Sequence, residues 1–161
     1  MLVAAAATIV APAWALPADP GWREFSAPAS GTRVNYPANI FSVDEGPLKT
    51  VVGERLRTSD GRAHFDGLHH QGGKKRLARR FCGTQFENPR AALDYRRVSA
   101  KFFALSGVRQ GQISYIRCNE GSVRSVFHCI YLIYPAAEKR AWEPIVTRIS
   151  LTLRPLRGEG E

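Results

Sequence analysis

"KFFALSGVRQGQISYIRCNEGSVRSVFHCIYLIYP", residues Lys101 to Pro135, reads as three β-strands in a row. In the first strand Phe103 and Leu105 oppose Phe102, Ala104 and Val108. In the second, Ile113 and Tyr115 oppose Ile116 and Cys118. In the third, Val126, Ile130, Leu132 and Tyr134 oppose Phe127, Cys129, Tyr131 and Ile133. Side chains alternate faces along a strand, so apolar residues at both parities predict a sheet covered on both sides. Arg109-Gln110-Gly111 and Asn119 to Ser125 are the connections. Joints that short predict antiparallel order, because parallel neighbours need a long crossover.

The same stretch holds two of the three cysteines, Cys118 and Cys129, with Cys82 upstream. A hairpin turning near Val123-Arg124 sets Cys118 directly opposite Cys129, at a separation a cross-strand disulfide accepts. Such a bridge is worth roughly 2 to 3 kcal/mol. A turn at Asn119 to Ser122 shifts the pairing and loses the bridge.

Outward from this meander, "LKTVVGERLRTSDGRAHFDGL" predicts a β-hairpin. Its turn signal is Asp60-Gly61, since glycine accepts the positive φ of tight turns. "TRVNYP" alternates, with Val34 and Tyr36 on one side and Arg33 and Asn35 on the other. Phe41 and Val43 continue a strand pattern, and Trp22 to Ser30 reads as a lead-in. Asn88-Pro89 has the form of a helix start, Asn as N-cap and Pro at the first helical position. "RAALDYRRV" then predicts a short helix ending near Ser99. "AAEKRAWEPIVTRISLTLRP" carries Trp142, Ile145, Val146, Ile149 and Leu153 at three- and four-residue steps, the mark of an amphipathic helix. Pro144 requires that this helix begin near Trp142 or kink. The predicted class is α+β, an antiparallel sheet with helices packed on both faces.

The motifs "YPANIFSVDEG", the Asp60-Gly61 hairpin, "AALDYRRV", the meander ending "LIYP" and "EKRAWEPIVTRISLTLRP" together resemble a family of small exported alphaproteobacterial proteins of unknown function. The likeness runs from about Trp22 to Pro155. The order of elements is also similar to the PsbP-like fold, an antiparallel sheet between helices. That second resemblance implies a non-enzymatic accessory or assembly role, and it carries over no catalytic residue.

The chain opens "MLVAAAATIVAPAWALPADPGW". Leu2 to Trp14 lacks charge and is too short to span a bilayer as a helix. Ala13 and Ala15 give the spacing that a signal peptidase reads. The expected organisation is therefore a signal peptide at 1–15, the lead-in at 16–30, one domain at 31–155 and a loose tail at 156–161. No Lys or Arg precedes the apolar run, which a start codon assigned too late explains. Hydrophobic content of 44% and charged content of 23% are globular values, enough for one ordinary core. The net charge of +9 attracts polyanions. Outside the cytoplasm these are anionic envelope components or acidic proteins; inside it, nucleic acid leads. The plain alternative is that the charge serves solubility.

Candidate chemistry concentrates in "DGLHHQGGKKRLARRFCG", residues Asp66 to Gly83. Lys74, Lys75, Arg76, Arg79 and Arg80 form a basic run; if helical, i and i+4 pairs repel and an anion relieves them. No aromatic residues interleave, so stacking on single-stranded nucleic acid is not suggested. His69 and His70, adjacent in a strand, point apart. His64 and His70 share a face with Asp66 between them, a weak zinc-type donor set. His128 stands alone in an apolar strand. A flanking Arg79-Arg80 pair lowers the Cys82 thiol pKa in principle, and a nearby histidine would complete an activated nucleophile. No HExxH, CxxC or G-x-S-x-G motif occurs.

These features predict no metal and no cofactor. They predict a periplasmic or secreted, non-enzymatic accessory or binding protein of the cell envelope, contacting an anionic component through the basic loop. One alternative is a cryptic hydrolase or metal-binding protein using His64, His70 or Cys82. The other is nucleic-acid binding, should the chain not be exported.

Overall fold

The computed structural model describes residues 16–49, 51–78, 93–122 and 125–155. Two antiparallel sheets form. The small one has the order β1-β2-β10, from β1 (Trp22–Ala27), β2 (Thr32–Pro37) and β10 (Arg154–Pro155). The large one has the order β3-β4-β5-β9-β8-β7-β6. Its strands are β3 (Val43–Pro47), β4 (Gly53–Arg57), β5 (His64–Gln71), β6 (Leu93–Val98), β7 (Phe102–Arg109), β8 (Gln112–Glu120) and β9 (Val126–Pro135).

The predicted meander is β7-β8-β9, in the register its alternation dictates. The predicted hairpin is β4-β5, with Arg57 opposite His64. Its turn is built by Gly61 at φ +71°, whose N–H donates to the Thr58 carbonyl at 3.0 Å. Asp60 secures the turn by accepting from the Thr58 hydroxyl at 2.7 Å and the Arg62 guanidinium at 2.7 Å.

One face of the large sheet packs against the helix α1 (Lys139–Leu151) and the small sheet. Trp142 is 2% exposed and lies 5.6 Å from Tyr134 and 5.8 Å from Phe41. Ile145, Val146 and Ile149 complete the buried stripe, each apolar side chain worth roughly 1.5 to 3 kcal/mol when fully buried. The small sheet seats where β5 carries Gly67, since a Cβ there would stand 2.8 Å from the Phe25 ring. The other face holds Leu68, Phe103, Leu105, Ile116, Phe127, Cys118 and Cys129, with Leu77 packed on them. We call these the helix face and the disulfide face.

Four expectations are corrected. Residues 22–27 are strand β1, not a lead-in, because Phe25 and Ala27 alternate into the core while Glu24 and Ser26 stay outside. Residues 93–98 are strand β6, not the end of a helix; the free edge of β7 supplies a ladder of hydrogen-bonding groups that overrides the helical propensity of the segment. The start of that expected helix, at Asn88-Pro89, lies outside the described residues. Among the described residues helices do not layer both faces alike: α1 shares the helix face with β1, β2 and β10, and the other face carries the short helical piece 74–78. Finally, α1 begins at Lys139 and runs through Pro144. Pro144 removes the bond to the Arg140 carbonyl, but both residues are exposed, so water can take its place. The expected signal peptide and the 156–161 tail lie outside the described residues.

Candidate functional site

The basic run starts where β5 ends. Arg76 and Leu77 donate their N–H groups to the Gly73 carbonyl at 2.9 and 3.0 Å, which winds residues 74–78 into a helical turn. Leu77, 4% exposed, anchors that turn in the disulfide-face core. Lys74 turns back toward the β6-β7 connection. Its ammonium donates to the Ser99 carbonyl at 3.1 Å and to that of Ala100, and pairs with Glu120 at 3.4 Å. It is a tether. Lys75 and Arg76 are exposed and have no ion pair among the described residues. Arg79, Arg80 and Cys82 lie outside the described residues.

The histidines separate. His69 and His128 pair across β5-β9 on the helix face, their rings 6.0 Å apart. The Ser30 carbonyl lies 3.1 Å from His69 Nδ1, and the Thr32 hydroxyl lies 3.4 Å from His128 Nδ1. The Thr32 contact joins the small sheet to the large one, and the Ser30 contact holds the β1-β2 connection against β5. His64 and His70 do share the disulfide face, as strand parity requires. They occupy opposite ends of β5, about 20 Å apart at roughly 3.3 Å per residue. Zinc bonds reach only about 2 Å, so these two cannot hold one ion. Among the described residues no three His, Cys, Asp or Glu side chains group as a metal site.

Asp66, between them, is 3% exposed and fully engaged. Arg55 donates to it through both Nε and Nη2, at 2.6 and 2.7 Å. The Asp66 hydrogen bond raises the guanidinium pKa further, against the cost of burial. This carboxylate is a charge partner of Arg55, held through both of its oxygens. Burial pushes the His64 imidazole pKa down, opposed by Asp66, and its Nε2 has no hydrogen-bond partner. The nearby Tyr131 hydroxyl donates to Ser114 at 3.3 Å, and burial pushes the Tyr131 pKa up.

Cys118 and Cys129 stand opposite each other across β8-β9 and form the expected disulfide, with Cα atoms 4.1 Å apart. Neither is a nucleophile. A cavity of about 350 Å³ opens beside Arg55, lined by Glu45, Pro47 and Lys49, and one of about 480 Å³ lies at the start of α1, lined by Leu16 and Ala136 to Ala141. No candidate histidine lines either.

The arrangement of sheet, small sheet and closing helix is that of the PsbP-like fold. The solution structure of cyanobacterial PsbP (CyanoP) from Synechocystis sp. PCC 6803 is similar over 91% of this chain and 98% of that one, with a TM-score of 0.56 and 11% identity. No family profile matches the chain, and no curated protein matches it in sequence.

Proposed function

We propose that the chain is a non-enzymatic accessory or binding protein of the cell envelope, exported through its apolar N-terminus. It contacts an anionic partner through Lys75 and Arg76, and Arg79 and Arg80 follow them in the basic run of the sequence. The observation that carries this reading is the division of labour in the basic run. Lys74 and Leu77 fix the turn to the sheet, and Lys75 and Arg76 project from it without an acidic partner among the described residues. Held cations cost less to order on binding than cations on a loose loop. The PsbP-like resemblance implies the same kind of role. Among the described residues no helix is long and apolar enough to cross a membrane.

Purified protein should be retained on phosphatidylglycerol vesicles and released by salt, while a variant with Gln at positions 75, 76, 79 and 80 should not be retained. Equal retention of both proteins overturns the reading. Recovery on DNA but not on vesicles, together with an uncleaved N-terminus by mass spectrometry, supports nucleic-acid binding instead.

A further inference from the structure

Register places three cross-strand rows on the helix face of β6-β7-β8. One row is Tyr95–Ser106–Tyr115 and the next is Arg97–Ala104–Arg117. Phe102, opposite Asn119, closes the end. In the first two rows the middle strand carries a small residue and the outer strands carry long ones. The result is a trough along β7 walled by two tyrosines and two arginines, with Ser106 half-buried on its floor and Ala104 covered beneath the arginines.

The walls are set in place. Both guanidiniums converge on the Phe102 ring, Arg117 at 4.3 Å and Arg97 at 5.5 Å from its centroid. Arg117 also donates to Asn119 at 3.0 Å. Tyr115 is half-buried and packs against the core that α1 covers, which places that wall beside α1. Tyr95 remains 45% exposed. No carboxylate pairs with Arg97 or Arg117 among the described residues, and the acid on the same edge strand, Asp94, is the extra residue of a bulge. Two guanidiniums supply more donors than a carboxylate can accept, whereas a tetrahedral phosphate accepts from both forks.

We propose that this trough binds a phosphate ester of a planar group. The phosphate lies between the Arg97 and Arg117 guanidiniums, outside the covered Ala104. The planar group lies one row along, about 7 Å away at roughly 3.3 Å per residue, over Ser106 against the Tyr95 ring. This site is separate from the basic run after β5 and does not depend on it.

Adenosine 5′-monophosphate is a suitable soluble probe, with inorganic phosphate and phosphatidylglycerol vesicles beside it. Amide chemical shifts should move in β6, β7 and β8 on adding the nucleotide, with weaker binding of phosphate alone. Arg97→Gln should weaken the nucleotide about tenfold or more. Tyr95→Ala should weaken the nucleotide several-fold and leave phosphate unchanged. Both side chains are exposed, so these variants keep the fold; Arg117→Lys, with the fork removed and the charge kept, is a third test that should also weaken binding. A Lys75→Gln, Arg76→Gln variant should bind the nucleotide as the parent does, so failure of this site and failure of the vesicle contact are read apart. The proposal is overturned if nucleotide at millimolar concentration moves no resonance of these strands, or if Arg97→Gln binds like the parent. Equal effects of Tyr95→Ala on nucleotide and phosphate, or binding to vesicles alone, also overturn it.

Discussion

Cys118 of β8 and Cys129 of β9 face each other at a Cα separation of 4.1 Å and are joined by a disulfide on the face that Leu77 covers. The bond closes a short hairpin at the centre of the large sheet. Both cysteines are completely buried, so the bridge is shielded from reductant in the folded state. Replacing both by alanine should lower unfolding free energy by about 2 to 3 kcal/mol, the loop-closure entropy of a ring of this size. Urea unfolding of the oxidised and reduced protein checks this; coincident midpoints would contradict it.

Asp66 and Arg55 make a second prediction. Asp66→Ala leaves the partly buried Arg55 guanidinium without its bidentate partner and should destabilise by about 2 kcal/mol or more. Replacing both, Asp66→Leu with Arg55→Met, should recover part of the loss, because the isolated charge is gone as well. A double variant less stable than Asp66→Ala would show that the pair itself, and not the orphaned charge, carries the energy.

Two groups give testable pH dependence below neutrality. Burial lowers the folded pKa of His64, so the unfolded chain binds its proton first. Stability should therefore fall as pH drops below about 6.5, the ordinary histidine value, and His64→Gln should flatten that slope. Asp60 is held down to about 2 by the Thr58 hydroxyl and the Arg62 guanidinium. Its contribution is present above its ordinary value of 3.8 and is lost as pH falls toward 2. Carbon-detected NMR titration of both side chains tests the two directions; a His64 pKa above 6.5 would contradict the first.

Much of the fold was legible from the chain. The β7-β8-β9 meander announced itself because its alternation is long, and alternation together with one turn position fixes a register. That register is what paired Cys118 with Cys129. The Asp60-Gly61 turn was equally readable, since Gly61 needs a positive φ. Strand β6 was not. From Asp94 to Val98 every residue is exposed, so no burial pattern marks a strand, and its partner lies in β7. Strand β1 was hidden for a related reason: only Phe25 and Ala27 face inward, too few to stand out.

The candidate residues divide in the same way. Strand parity correctly set His69 and His70 on opposite faces, but length along the strand, which separates His64 from His70, overrides their shared face. The tethering of Lys74 by Ser99, Ala100 and Glu120 depends on contacts distant in sequence, and no local pattern reveals it. The Tyr95–Ser106–Tyr115 and Arg97–Ala104–Arg117 rows are likewise assembled only by three-strand register.

The most direct measurement is salt-dependent retention on phosphatidylglycerol vesicles of the parent, Lys74→Met, and Lys75→Gln with Arg76→Gln. Lys74→Met should unfold about 1 kcal/mol more easily, from the loss of charge-assisted hydrogen bonds, yet elute at the parent's salt concentration. The Lys75→Gln, Arg76→Gln protein should be as stable as the parent and elute at clearly lower salt, because exposed charges contribute through screened attraction. Unchanged elution of the Lys75→Gln, Arg76→Gln protein would contradict the account, as would a loss of retention confined to Lys74→Met.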